Sequence, residues 1–182
     1  NPSFPNTFTP YVFGFDNTPS DNIISDHGVT LGRVLFYDKK LSADNTISCA
    51  SCHKQEFGFS DNTSKSIGVS GEHTFRNSMG FANAGFYAAE NFSWDHQAAT
   101  LEDQILIPIT DELEMGITLE NLVEKLSNLA YYEPLFINVF GDSQITSTKI
   151  SKALSQFVRS IYSYNTKYDR GIEITKDIFI DF

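Results

Sequence analysis

Apolar residues follow a helical rhythm in two stretches of this chain and lose it in between. Leu31, Val34 and Leu35 share one face of a helix predicted from about His27 to Tyr37. Thr100 can cap a second helix running to about Leu106. Pro108 is expected to end it, because its ring removes an N–H and crowds the preceding turn. Thr118 opens a third, with Leu119, Leu122, Val123 and Leu126 at helical spacing. Tyr132, Leu135, Phe136, Val139 and Phe140 make a fourth that stops at Gly141. Thr146 begins the longest, with Ile150, Ala153, Leu154, Phe157, Val158 and Ile161 along one stripe. No strand alternation and no internal repeat appears, so the fold class is all-α.

The quiet stretches matter too. Residues 38–46 read as a polar turn. From Lys54 to Asn91 the periodicity is broken by Gly58, Gly68, Gly71, Gly80 and Gly85. A loop region this long in a compact domain usually has a function. Residues 1–26 contain four of the six prolines and read as an extended arm.

With 182 residues the chain is one domain, or one domain with arms, and 41% hydrophobic residues suffice for a core. Sixteen Phe and eight Tyr could wall a large, flat cofactor. The net charge of −10 argues against a nucleic-acid partner and suits a basic one, such as a small electron-transfer protein. No apolar run is long enough to span a bilayer. The chain begins Asn1-Pro2, without an initiator Met or an apolar leader, and so reads as a mature or trimmed form.

The candidate chemistry is concentrated at Cys49-Ala50-Ser51-Cys52-His53, which contains both cysteines of the chain. C-x-x-C-H is the attachment signature of a c-type haem. Thiols at i and i+3 of a helical turn face the same way and can both form thioethers with one porphyrin. The following histidine can then ligate its iron. Other uses of the pair are weaker. A disulfide would close too short a loop to constrain the unfolded chain much. A structural zinc would need more ligands. The motif occurs once, so one covalent haem c is expected. Met79, Met115 and the loop histidine His73 stand as alternative sixth ligands, and a methionine there would make an electron carrier.

Several further runs carry a family resemblance. They are Leu31-Gly32-Arg33-Val34-Leu35-Phe36-Tyr37-Asp38, Leu41-Ser42, Ser66-Ile67-Gly68, Arg76-Asn77-Ser78, Trp94-Asp95, Leu101-Glu102-Asp103-Gln104, Pro108-Ile109, Glu114-Met115-Gly116, Phe140-Gly141 and Tyr168-Asp169-Arg170. Together with the Cys49–His53 motif, in unbroken order over roughly 27–170, they resemble the bacterial dihaem cytochrome c peroxidases. That family includes the methylamine-utilisation dihaem enzyme.

The resemblance implies a cytochrome c-like, all-α haem domain with long loops, corresponding to the family's N-terminal, peroxidatic half. On that basis residues 27–170 form the haem domain, and 171–182 start a linker to a second haem domain. His53 becomes the iron ligand, Glu114 the distal carboxylate and Gln104 the polar residue near it. Trp94 becomes the tryptophan between the two haems, and Asn77 a contributor to calcium binding between domains in the full-length enzyme. The implied activity is reduction of hydrogen peroxide to water with electrons from a small donor, a cytochrome c or a cupredoxin, in the periplasm. The alternatives are a non-enzymatic single-haem electron carrier, or a dihaem oxidase acting on a protein or organic substrate. One position departs from the pattern. Many of these peroxidases have a histidine after Ser-Ile-Gly that blocks the resting iron, but here Val69 follows Gly68.

Overall fold

The computed structural model describes residues 14–87, 91–95, 97–164 and 166–171. His96, the first half of the expected arm and nearly all of the expected linker lie outside them. Six α-helices lie wholly among the described residues: α1 (Asp26–Tyr37), α2 (Cys49–Cys52), α3 (Leu101–Thr110), α4 (Leu119–Ser127), α5 (Tyr132–Phe140) and α6 (Ser147–Arg159); residues 167–171 are helical as well. There is no extended strand among the described residues, only isolated bridges at Lys54–Ser60, Ile67–His73 and Phe92–Ala98. The all-α reading holds.

The helix starts follow from short polar side chains that accept otherwise unpaired N–H groups of the first turn. Ser25 accepts from Gly28, Thr100 from Asp103, Thr118 from Asn121 and Thr146 from Lys149. Gly141 ends α5 in the left-handed conformation, at φ 80°.

The expected stop at Pro108 is corrected: α3 continues to Thr110 with the proline inside its last turn. The returning chain explains this. Met115 N–H donates to Pro108 O and Ile117 N–H to Ile109 O, both at 3.0 Å. Met115 and Ile117 are buried and so anchor that end of the helix.

The centre of the molecule is the crossing of α1 with α6. A Cβ on Gly32 would lie only 2.0 Å from Ala153 O, so the two backbones touch at that point. Leu31, Leu35, Ile150, Ala153 and Leu154 fill the contact, and α3, α4 and α5 add Ile109, Leu122, Leu126, Tyr132 and Phe136 around it. Complete burial of such a side chain contributes on the order of 1.5–3 kcal/mol.

A polar network closes one side. Arg159, 1% exposed, forms a two-pronged pair with Glu102 at 2.6 and 2.9 Å and also donates to Asn17. Asn22 donates to Glu102 and accepts from Gln156. Residues 14–25 are therefore fastened to α3 and α6 by buried hydrogen bonds.

Candidate haem site

Helix α2 is a single turn. Ser48 N–H donates to Ser51 Oγ, and His53 N–H closes the turn on Cys49 O at 2.9 Å. Both thiols and the imidazole line one cavity of about 570 Å³, within the range typical of cofactor sites. Its walls come from both halves of the molecule. Phe36, Leu154 and Val158 belong to the helical core, residues 74–79, 81, 93–95 and 97 to the loops, and Gln104, Pro108, Glu114 and Met115 to α3 and the turn after it.

His53 is held firmly. Its Nδ1 lies 2.9 Å from Phe59 O and 3.0 Å from Met79 O. Both partners can only accept, so Nδ1 carries the proton and Nε2 keeps its lone pair for a metal. Burial lowers the imidazole pKa, which favours the neutral form. The Phe81 ring stacks on it with centroids 4.0 Å apart. Burial pushes the Cys49 thiol up to about 12 and raises Cys52 as well, so both remain protonated.

Glu114 and Gln104 come together with this motif in the same cavity. Burial, with some help from the Asp111 charge, raises the pKa of Glu114. It has no ion-pair partner among the described residues. Gln104 Oε1 is buried and accepts no hydrogen bond from the described residues. A buried acceptor of this kind costs stability unless a ligand or water completes it.

Trp94 also lines the cavity, but at its rim. It is 58% exposed, and its indole N–H donates to Asn77 O at 2.9 Å. Asn77 Nδ2 donates to Thr63 O, and its Oδ1 accepts from none of the described residues. Met79 and Met115 line the cavity, while His73 is exposed and makes a long contact to Lys65 O. Val69 N–H donates to Glu114 O, so the Ser66–Gly68 segment docks on the turn that holds Glu114.

Features that no local pattern in the sequence reveals also build the site. The carbonyls that orient His53 are backbone atoms. The exposed Arg76–Asp95 pair at the rim joins residues 19 apart in loops that show no periodicity. The group best suited to two thiols, a neutral histidine with Nε2 free, aromatic walls and an unmatched acceptor is a c-type haem.

Comparisons with known proteins agree. Residues 26–177 match the family model described as di-haem cytochrome c peroxidase. The methylamine utilization protein MauG of Methylophilus methylotrophus is 33% identical over 154 residues, covering 85% of this chain and 45% of that protein. Cytochrome c551 peroxidase of Nitrosomonas europaea is 32% identical over 147 residues, covering 81% of this chain and 43% of that protein. The crystal structure of a MauG-like protein associated with microbial copper homeostasis superposes with a TM-score of 0.84 at 34% identity, covering 96% of this chain and 50% of that one. The chain thus spans half or less of the length of these relatives. This chain belongs to the di-haem cytochrome c peroxidase family.

Proposed function

We propose that this chain is the peroxide-reacting haem domain of a dihaem cytochrome c peroxidase. In this reading residues 27–170 form the domain, and one haem is joined through Cys49 and Cys52 with His53 as its ligand. The observation that carries it is Glu114, a half-buried carboxyl without a counter-ion, in the same cavity as the attachment motif. The haem, when bound, supplies an iron that binds peroxide and accepts its oxidising power.

The chain's own residues supply the proton chemistry. Glu114 takes the proton from one peroxide oxygen and returns it to the other, so the departing oxygen leaves as water. Its raised pKa brings it closer to the working pH, where acid and base forms both count. Gln104 Oε1 accepts a hydrogen bond from the peroxide O–H and holds it in line. Val69, in place of a histidine, offers no imidazole at the position where one would block the iron of a bound haem, and His73 stays on the loop surface.

Electrons reach the site from a small donor, a cytochrome c or a cupredoxin, through a second haem domain of the same protein, with Trp94 at the junction. The full-length protein works in the periplasm. Asn77 Oδ1 contributes to a calcium site shared with that second domain. Calcium takes six or more oxygens, and no group of three or more His, Cys, Asp or Glu able to hold a metal exists among the described residues. Calcium should therefore bind this chain alone only weakly, and tight calorimetric binding would contradict that.

Two experiments test the proposal. Intact mass of protein produced with haem-attachment machinery should show chain plus one haem that survives denaturation, and Cys49→Ser with Cys52→Ser should lose it entirely to organic extraction. Stopped-flow mixing of the ferric, haem-loaded chain with peroxide should give a reaction without prior reduction. Glu114→Gln should slow that reaction by on the order of a hundredfold while leaving cyanide binding largely intact. A wild-type rate in the variant would remove Glu114 from the mechanism.

A further inference from the structure

Asp61 lies in the loop region outside the cavity, yet its side chain is only 4% exposed. Each carboxylate oxygen is engaged. Oδ1 accepts from Lys54 Nζ at 2.7 Å and from Asn62 N–H at 2.7 Å, and Oδ2 accepts from Ser66 Oγ at 2.6 Å. Ser66, itself 2% exposed, shares a 3.0 Å hydrogen bond with Ser78 Oγ. Ser60 Oγ donates to Ser78 O, and Lys54 N–H to Ser60 O at 2.8 Å.

These partners sit next to the atoms that hold His53. Lys54 follows it directly in the chain. Phe59, whose carbonyl accepts from Nδ1, precedes Ser60. Met79, which supplies the other carbonyl, follows Ser78. One buried carboxylate thus fastens three chain segments at the points where they touch the imidazole. Glycine-rich loops have no helix to fix such carbonyls, and their position otherwise rests on weak local contacts. The spacing of an Nδ1–H···O=C bond sets ring orientation and how strongly the other nitrogen donates to a metal.

We propose that Asp61 is a positioning residue for His53: through Lys54, Ser66 and Ser78 it holds the Phe59 and Met79 carbonyls against Nδ1, and so fixes the donor strength of Nε2. This rests on the reading of His53 as the haem ligand, but it makes a separate claim about the chain itself. The Asp61 charge also lies close enough to act on the imidazole and on Cys52.

The test uses the whole chain in two states. In the haem-free chain, nitrogen NMR of His53 should show a single Nδ1–H tautomer, which Asp61→Asn partly mixes and Asp61→Ala mixes fully. In the haem-loaded, reduced chain, the iron–histidine stretching vibration should shift to lower frequency in Asp61→Asn and in Ser78→Ala. The peroxide reaction should slow about 10- to 100-fold, the usual cost of losing such an outer partner. Glu102→Gln is the control for plain destabilisation: it should lower the melting temperature at least as much without moving the vibration. An unshifted tautomer and vibration in a folded Asp61→Asn overturns the proposal, as does an equal vibrational shift in Glu102→Gln. If the wild-type loaded chain ignores peroxide, the functional reading fails instead, and the tautomer and vibration still decide on Asp61.

Discussion

Two half-buried glutamates, one in the first turn of α3 and one in the turn that follows its C-terminal end, behave in opposite ways. Glu102 sits in the first turn, and burial alone would raise its pKa. Its hydrogen bonds from Arg159 and Asn22, with the Arg159 charge, outweigh that and hold it below its ordinary range. The N-terminal end of the helix also favours a negative charge there. Glu114 lies just past the C-terminal end, with burial and the Asp111 charge against it and no cation to compensate, so it is pushed up. The residue type is the same and both are partly buried, but one glutamate is fixed as structure and the other is left able to exchange a proton. Charge compensation separates the two.

Breaking the first end should have the largest effect on folding. Glu102→Gln leaves the buried Arg159 guanidinium without its partner and should cost about 3 kcal/mol or more. Adding Arg159→Met should recover most of that loss, because the buried charge is then gone. Urea unfolding of the single and double variants measures both. At the other end, Glu114→Gln should leave stability unchanged or slightly raised, since it removes an uncompensated buried acid. A large destabilisation there would mean that Glu114 is structural too.

The pH dependence sharpens the contrast. Glu102 is held low, so its contribution is present above its ordinary value of 4.5 and is lost as the pH falls through its folded value. Asp61, held down to about 2 against an ordinary 3.8, adds to the same acid limb. Glu114 is raised, so the folded state gains from its protonation; that gain is complete below 4.5 and lost as the pH rises through its folded value. Unfolding free energy followed against pH should therefore lose part of its acid limb in Glu102→Gln and its less acidic slope in Glu114→Gln. The smallest effect is expected for His73→Ala. Its ring is exposed, so stability should change by no more than about 0.5 kcal/mol and cyanide binding should be unaffected.

The sequence reveals the helical half of this molecule better than the loop half. Thr118, Gly141 and Thr146 mark helix ends because caps are local events, decided within a few residues. Pro108 misleads because the restraint that carries α3 past it comes from Met115 and Ile117, on the returning chain. In the site, Cys49, Cys52 and His53 are legible from spacing alone. Glu114, Gln104, Trp94 and Asn77 stand out only through the resemblance, since nothing local separates Glu114 from its neighbours Asp111 and Glu112. Asp61 and the Phe59 and Met79 carbonyls had no signal at all. Their roles arise from a loop path that places residues 53, 59 and 79 together, and such a path has no periodicity to read.

The contact of Gly32 with Ala153 also has a consequence in time. The two surfaces of this core lie on α1 and α6, and the Cys49–His53 turn falls between them in the chain. A chain delivered N-terminus first to the compartment where it folds presents the turn for an interval before α6 follows. Throughout that interval the thiols exist while the helix that completes the cavity wall with Leu154 and Val158 does not. Chain order thus works as a clock. It presents the Cys49–His53 turn open and early, and the wall of Leu154 and Val158 can close over it only after α6 arrives.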